Sequence, residues 1–132
     1  MGKQILRSSK LNPPIGVFSQ ATMAMLPGRI IWVSGLTARD ASGAVVGVGD
    51  VRAQTRQILE NLKAILAEGG ATLDDVVKVT VFVRNMDDFQ AIHEVRREYF
   101  PKDPPASTMV EVSRLVEDSL LIEIEATAVV NS

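Results

Sequence analysis

The chain has 132 residues, 46% of them hydrophobic and 23% charged, with a formal net charge of −2. That length predicts one domain spanning residues 1–132, and the composition excludes a disordered or collagen-like chain. With no cysteine and one histidine, the chain has no disulfide, thiolate nucleophile, iron–sulfur cluster or cysteine-held zinc, and a single copy cannot build a multi-histidine metal centre.

The first ten residues, MGKQILRSSK, lack the apolar stretch of a secretion signal, so the expected compartment is the cytoplasm. No strictly apolar run exceeds four residues, which predicts no membrane partner. The near-neutral charge disfavours nucleic acid, which needs a concentrated basic face.

Residues 17–26 form a weak strand candidate and residues 29–36, RIIWVSGL, a stronger and largely buried one. Pro27-Gly28 supplies the turn between them. A second turn falls at Asp40-Ala41-Ser42-Gly43, followed by a short extended piece at Val45-Val46. Asp50 can cap a helix whose apolar face carries Val51, Ile58, Leu62, Ile65 and Leu66, and Gly69-Gly70 ends it.

Residues 76–83, VVKVTVFV, read as a central strand with Val77, Val79, Val81 and Val83 on one apolar face. Asp87 or Asp88 caps a second helix with Phe89, Ile92, Val95 and Tyr99 as its inner stripe, and Pro101 lies just past its end. Two further strands, about 107–115 and 119–129, flank the polar turn Val116-Glu117-Asp118. The order predicts an α/β (α+β) fold, a mixed and mainly antiparallel sheet with two helices on one face.

In strand 119–129, Ile122, Ile124, Ala126 and Ala128 point one way and Leu121, Glu123, Glu125 and Thr127 the other. Ser34 likewise accompanies Ile30 and Trp32. These second faces are too apolar to be fully wet and too polar for a simple core, which predicts packing against copies of the same chain.

The segments Ile15-Gly16-Val17-Phe18-Ser19-Gln20, Ile30-Ile31-Trp32-Val33-Ser34-Gly35, Val77-Lys78-Val79-Thr80-Val81-Phe82-Val83, Pro105-Ala106-Ser107-Thr108-Met109-Val110-Glu111-Val112 and Leu121-Ile122-Glu123-Ile124-Glu125-Ala126 resemble the Rid (YjgF) family. The likeness runs from about residue 3 to residue 130. It implies a chorismate-mutase-like fold assembled as a homotrimer, with sheets lining an inner barrel, helices outside and clefts between subunits. It also implies hydrolysis of small reactive enamines and imines, such as 2-aminoacrylate, to a keto acid and ammonia without a cofactor. Other members carry labels as ribonucleases or translation inhibitors.

The same resemblance supplies site residues. Glu123 matches the glutamate that positions or activates water, a task suited to a partly desolvated carboxylate; a strand glutamate paired with a basic residue is the alternative. Ser34 and Gly35 match the small polar wall of the cleft, or simply pack a strand end. Ser107 stands where deaminating members hold the substrate carboxylate with arginine, so it is either a weaker ligand contact or merely the start of a strand. Phe18 keeps a ring but lacks the hydroxyl of tyrosine. Met109 occupies a position often held by cysteine and offers its main chain.

His93 matches an asparagine near the cleft in some members and is read either as a site residue or as a packing residue at a helix flank. Arg96 and Arg97, one turn on, are assigned to a solvated helix face, with an anion anchor as the alternative. The leading functional expectation is a cofactor-free enamine or imine hydrolase acting on a small metabolite. A metabolite-binding trimer without turnover is the alternative, and ribonuclease activity ranks behind both.

Overall fold

The protein is described by a computed structural model covering residues 3–15 and 19–131. Six strands form one sheet in the order β1-β2-β3-β6-β4-β5. These are β1 (Lys3–Leu6), β2 (Ala21–Leu26), β3 (Gly28–Leu36), β4 (Val76–Val83), β5 (Ala106–Glu111) and β6 (Ile122–Val130), joined by helices α1 (Val51–Glu68) and α2 (Phe89–Tyr99). All neighbours run antiparallel except the parallel pair β4 and β5. That pair needs a crossover connection, and α2 provides it.

Alternation along β6 sorts the two faces as expected. Ile122, Ile124, Ala126 and Ala128 are buried, and they join Ile31 and Val33 of β3 beneath Ile58, Leu59, Leu62, Ile65 and Leu66 of α1. Ile92 and Val95 bring α2 onto the same layer. The Asp50 side chain caps α1 by accepting from the Ala53 amide at 3.0 Å. A bidentate ion pair between Arg56 and Glu98, at 2.9 and 2.8 Å, links the exposed flanks of the two helices.

Five expectations need correction. Phe89 is 41% exposed and so falls outside the inner stripe of α2. A register shift between Val76 and Lys78 places Val76 in the core and leaves Val77 48% exposed, so the buried valines of β4 are 76, 79, 81 and 83. Neither Asp87 nor Asp88 caps α2 with its side chain; Asn85 instead caps a short 3-10 turn that leads into the helix. The strand expected at 107–115 is Ala106–Glu111, at the sheet edge. Strand β1 was not foreseen, being too short for its alternation to register.

The face opposite the helices carries Ile30, Trp32, Thr80, Phe82, Glu123, Glu125, Thr127 and Val129. Among the described residues nothing fully covers it: Trp32 remains 45% exposed and Val129 37%. No helix among the described residues is long and apolar enough to cross a membrane.

Candidate functional site

The regular ladder between β3 and β6 breaks at one place. Val33 pairs with Ala126 and Leu36 with Ile124, so Ser34 and Gly35 together oppose Glu125 alone. Two residues against one is a β-bulge, a device that re-aims side chains and exposes backbone. It places Ser34 and Gly35 beside the Glu123 side chain, in a cleft of about 550 Å³.

Gly35 is small for a reason visible in its surroundings. A Cβ at this position would stand 2.9 Å from the Glu123 carboxyl carbon and closer still to one of its oxygens. The carboxylate therefore rests directly on bare backbone. Ser34 is held by two contacts: its amide donates to the Gln20 carbonyl at 3.1 Å and its hydroxyl donates to the Ser19 carbonyl. With the hydroxyl proton committed, the Ser34 oxygen can only accept from a ligand.

Glu123 is half-buried, and burial raises its pKa above the ordinary glutamate value, with a smaller push from the negative charge of Glu125. Among the described residues it makes no ion pair. A carboxyl group desolvated in this way holds its proton closer to neutrality and can both give and take one.

The rest of the wall came from residues that sequence reasoning did not single out. Gln20 fastens the segment after β1, accepting from the Ser8 amide at 2.6 Å and donating to the Asn12 carbonyl at 3.0 Å. Arg39 is buried, with its Nη2 2.6 Å from Glu117 in the turn before β6. Asn61 of α1 donates to the Arg39 carbonyl at 2.8 Å. A polar residue at helical spacing between Ile58 and Ile65, on the apolar face of α1, was the available signal for Asn61; for Arg39 there was none.

The remaining expected residues lie elsewhere. Ser107 and Met109 pair with Val79 and Val81, on the helix side of the sheet, while Glu123 pairs with Phe82 on the open side. Within one chain, then, Glu123 cannot share a cleft with Ser107, Met109 or His93. Met109 packs against the core. His93 stacks on Phe89 at 3.9 Å between ring centroids, with Nδ1 3.0 Å from the Phe89 carbonyl. Arg97 is exposed as expected, but Arg96 is not on a solvated face: it is buried and donates to the Ser107 hydroxyl at 2.9 Å. Phe18 lies outside the described residues. No cluster of three or more potential metal ligands occurs among the described residues.

The family described as Endoribonuclease L-PSP matches residues 9–130. A RutC family protein of Pyrococcus abyssi is 44% identical over 128 residues, covering 97% of this chain and 98% of the relative. The 3-aminoacrylate deaminase RutC of Acinetobacter baylyi is 41% identical over 128 residues, with the same coverage of 97% and 98%. Among solved structures, the Rid family protein YyfA of Yersinia pestis superposes with a TM-score of 0.88 at 34% identity, covering 98% of this chain and all of that one. Sequence and fold agree, and the chain belongs to the Rid (YjgF) family.

Proposed function

We propose that this protein is a cofactor-free hydrolytic deaminase of small reactive enamines or imines, acting in clefts between the subunits of a homotrimer. The observation that carries the reading is the Glu123 carboxyl group, half-buried against the Gly35 backbone and next to an oxygen that only accepts hydrogen bonds. The name of the Acinetobacter relative, a 3-aminoacrylate deaminase, points to the same chemistry.

The residues suit each step. Protonated Glu123 delivers its proton to the enamine carbon, leaving an iminium. As carboxylate it then takes a proton from the water that adds to the iminium carbon. Glu123 then returns that proton to the nitrogen of the carbinolamine; as the C–N bond breaks and ammonia leaves, the hydroxyl proton passes to the Glu123 carboxylate, giving the carbonyl compound and restoring the protonated acid. Ser34 accepts from the substrate N–H and fixes the nitrogen. Gly35 provides room for the carboxyl group to swing between carbon, water and nitrogen.

The open sheet face supports the assembly. Ile30, Trp32 and Val129 leave apolar surface open at one end of this face, and Phe82 and Val110 at the other. Copies packed on this face cover it, and they allow the β5 edge of one copy to complete the cleft of another. That arrangement also reconciles Glu123 and Ser107 lying on opposite faces of one sheet. Endoribonuclease activity, named in the family description, is disfavoured by the −2 charge and by ion pairs that occupy Arg52 and Arg56.

The experiment generates imines from a panel of amino acids with an oxidase and follows their capture by semicarbazide, adding 3-aminoacrylate as a further substrate. Wild type accelerates the loss of at least one of them and Glu123→Gln does not. Equal rates with both proteins on every substrate reject the reading, and saturable ligand binding without turnover would leave a metabolite-binding trimer.

A further inference from the structure

The guanidinium of Arg96 lacks a partner that matches its charge. The residue leaves the last turn of α2 and is 8% exposed, yet its Nη2 donates to the neutral hydroxyl of Ser107. No ion pair of Arg96 occurs among the described residues. The contrast with its neighbours is sharp: exposed Arg52 and Arg56 pair with Glu94 and Glu98, and buried Arg39 pairs with Glu117. Burying a charge without a counter-ion is costly, and arginine does not escape the cost by losing its proton. A group held at that cost, next to an exposed strand edge, is suited to an anion that arrives from outside.

The Ser107 hydroxyl completes the arrangement. Its oxygen accepts from Arg96, so its own proton is free for another acceptor. Ser107 is exposed on β5, the last strand of the sheet. We infer that Arg96 and Ser107 form an anion subsite for the carboxylate of the substrate, Arg96 supplying the charge from the helix and Ser107 the orienting donor from the strand. The charge expected at position 107 is thus supplied from position 96. The identity of the anion as substrate rests on the deaminase reading above, whereas the subsite itself can be tested without turnover.

The test titrates the full chain calorimetrically with pyruvate, a stable 2-keto acid, and with pyruvamide, its uncharged counterpart. Wild type binds pyruvate at least tenfold more tightly than pyruvamide. Arg96→Met, which keeps the apolar stem packed, weakens pyruvate by about 10- to 100-fold, as loss of a charged hydrogen bond predicts, and leaves pyruvamide unchanged. Arg96→Met with Ser107→Arg recovers most of the affinity, a rescue that a purely structural arginine would not show. If Arg96→Met does not fold, Arg96→Lys should keep tighter binding of pyruvate than of pyruvamide.

Pyruvate affinity within twofold of wild type in Arg96→Met overturns the subsite. So does dissociation of the assembly in that variant by light scattering, because the charge would then serve a neighbouring copy. Glu123→Gln separates the two proposals. It should keep the preference for pyruvate over pyruvamide, so a failed deaminase assay leaves the anion subsite standing, and Glu123-dependent turnover with an unaffected Arg96→Met leaves the deaminase standing without it.

Discussion

Glu123 rests its carboxyl group on the backbone of Gly35, in space that any side chain at position 35 would occupy. The bulge that brings them together is a two-for-one mismatch between β3 and β6. An acidic group is thereby half-buried against main chain, and among the described residues it makes no ion pair.

Gly35→Ala tests that contact. The added methyl must push the flexible end of the Glu123 side chain aside, so stability should change by no more than about 1 kcal/mol. Imine hydrolysis should fall about a hundredfold or more, because a displacement of one ångström removes the proton-transfer geometry. Denaturant melts and initial rates check both; an alanine variant with unchanged turnover would show that Glu123 does not act from this position.

Glu125 raises the pKa of Glu123 through its like charge. Glu125→Gln should therefore move the alkaline limb of the kcat/KM profile on an enamine such as 3-aminoacrylate, where Glu123 must start protonated, to lower pH while leaving the limiting rate within a few-fold of wild type. A limb that stays in place separates the titration from this pair of carboxylates.

The raised pKa of Glu123 also makes a stability prediction with a definite sign. Burial disfavours the carboxylate, so the folded state is favoured when this group is protonated, and the advantage is lost as pH rises through its folded pKa. Glu123→Gln should then raise the melting midpoint at pH 8 relative to wild type, and the gain should shrink towards pH 4. Thermal melts across that range decide it; a destabilised variant at pH 8 means that Glu123 has favourable partners in solution.

Gln54 anchors the framework behind the cleft. Fully buried, it donates to the carbonyls of Gly47 and Ser119, at 3.1 and 2.8 Å, and accepts from the Leu121 amide at 2.8 Å. Gln54→Leu leaves the Ser119 carbonyl and the Leu121 amide without their partner, while the Gly47 carbonyl keeps the Asp50 amide at 2.8 Å, and should cost about 2–4 kcal/mol. Urea unfolding measures the loss, and a change below about 0.5 kcal/mol would mean that water replaces the amide.

Much of this architecture was legible in the residues. Alternation along β6 assigned both faces of that strand, and the Asp50 cap with its apolar stripe placed α1, because burial periodicity is a local signal. Val77 was misassigned because a bulge breaks alternation without marking the sequence. Ser34, Gly35 and Glu123 were found through family likeness, and their contact follows from a register shift that no single segment encodes. Ser107 and His93 were expected to shape a cleft between subunits, and within one chain their strand and helix lie across the sheet from Glu123. Arg96 looked like a surface residue because its neighbours on α2 are charged; its hydrogen bond to Ser107 joins two elements and leaves no mark on the helix sequence.

The opposite placement of Glu123 and Ser107 yields the most direct test of a cleft shared between copies. Glu123→Gln and Ser107→Glu, the latter setting a negative charge against the incoming anion, should each be inactive alone. Unfolded together in equal amounts and refolded, they should form mixed assemblies with about a quarter of wild-type imine hydrolysis, since one cleft in four then joins an intact Glu123 to an intact Ser107 edge. Activity no greater than that of the two variants refolded separately, or wild-type turnover by Ser107→Glu alone, would contradict the shared cleft.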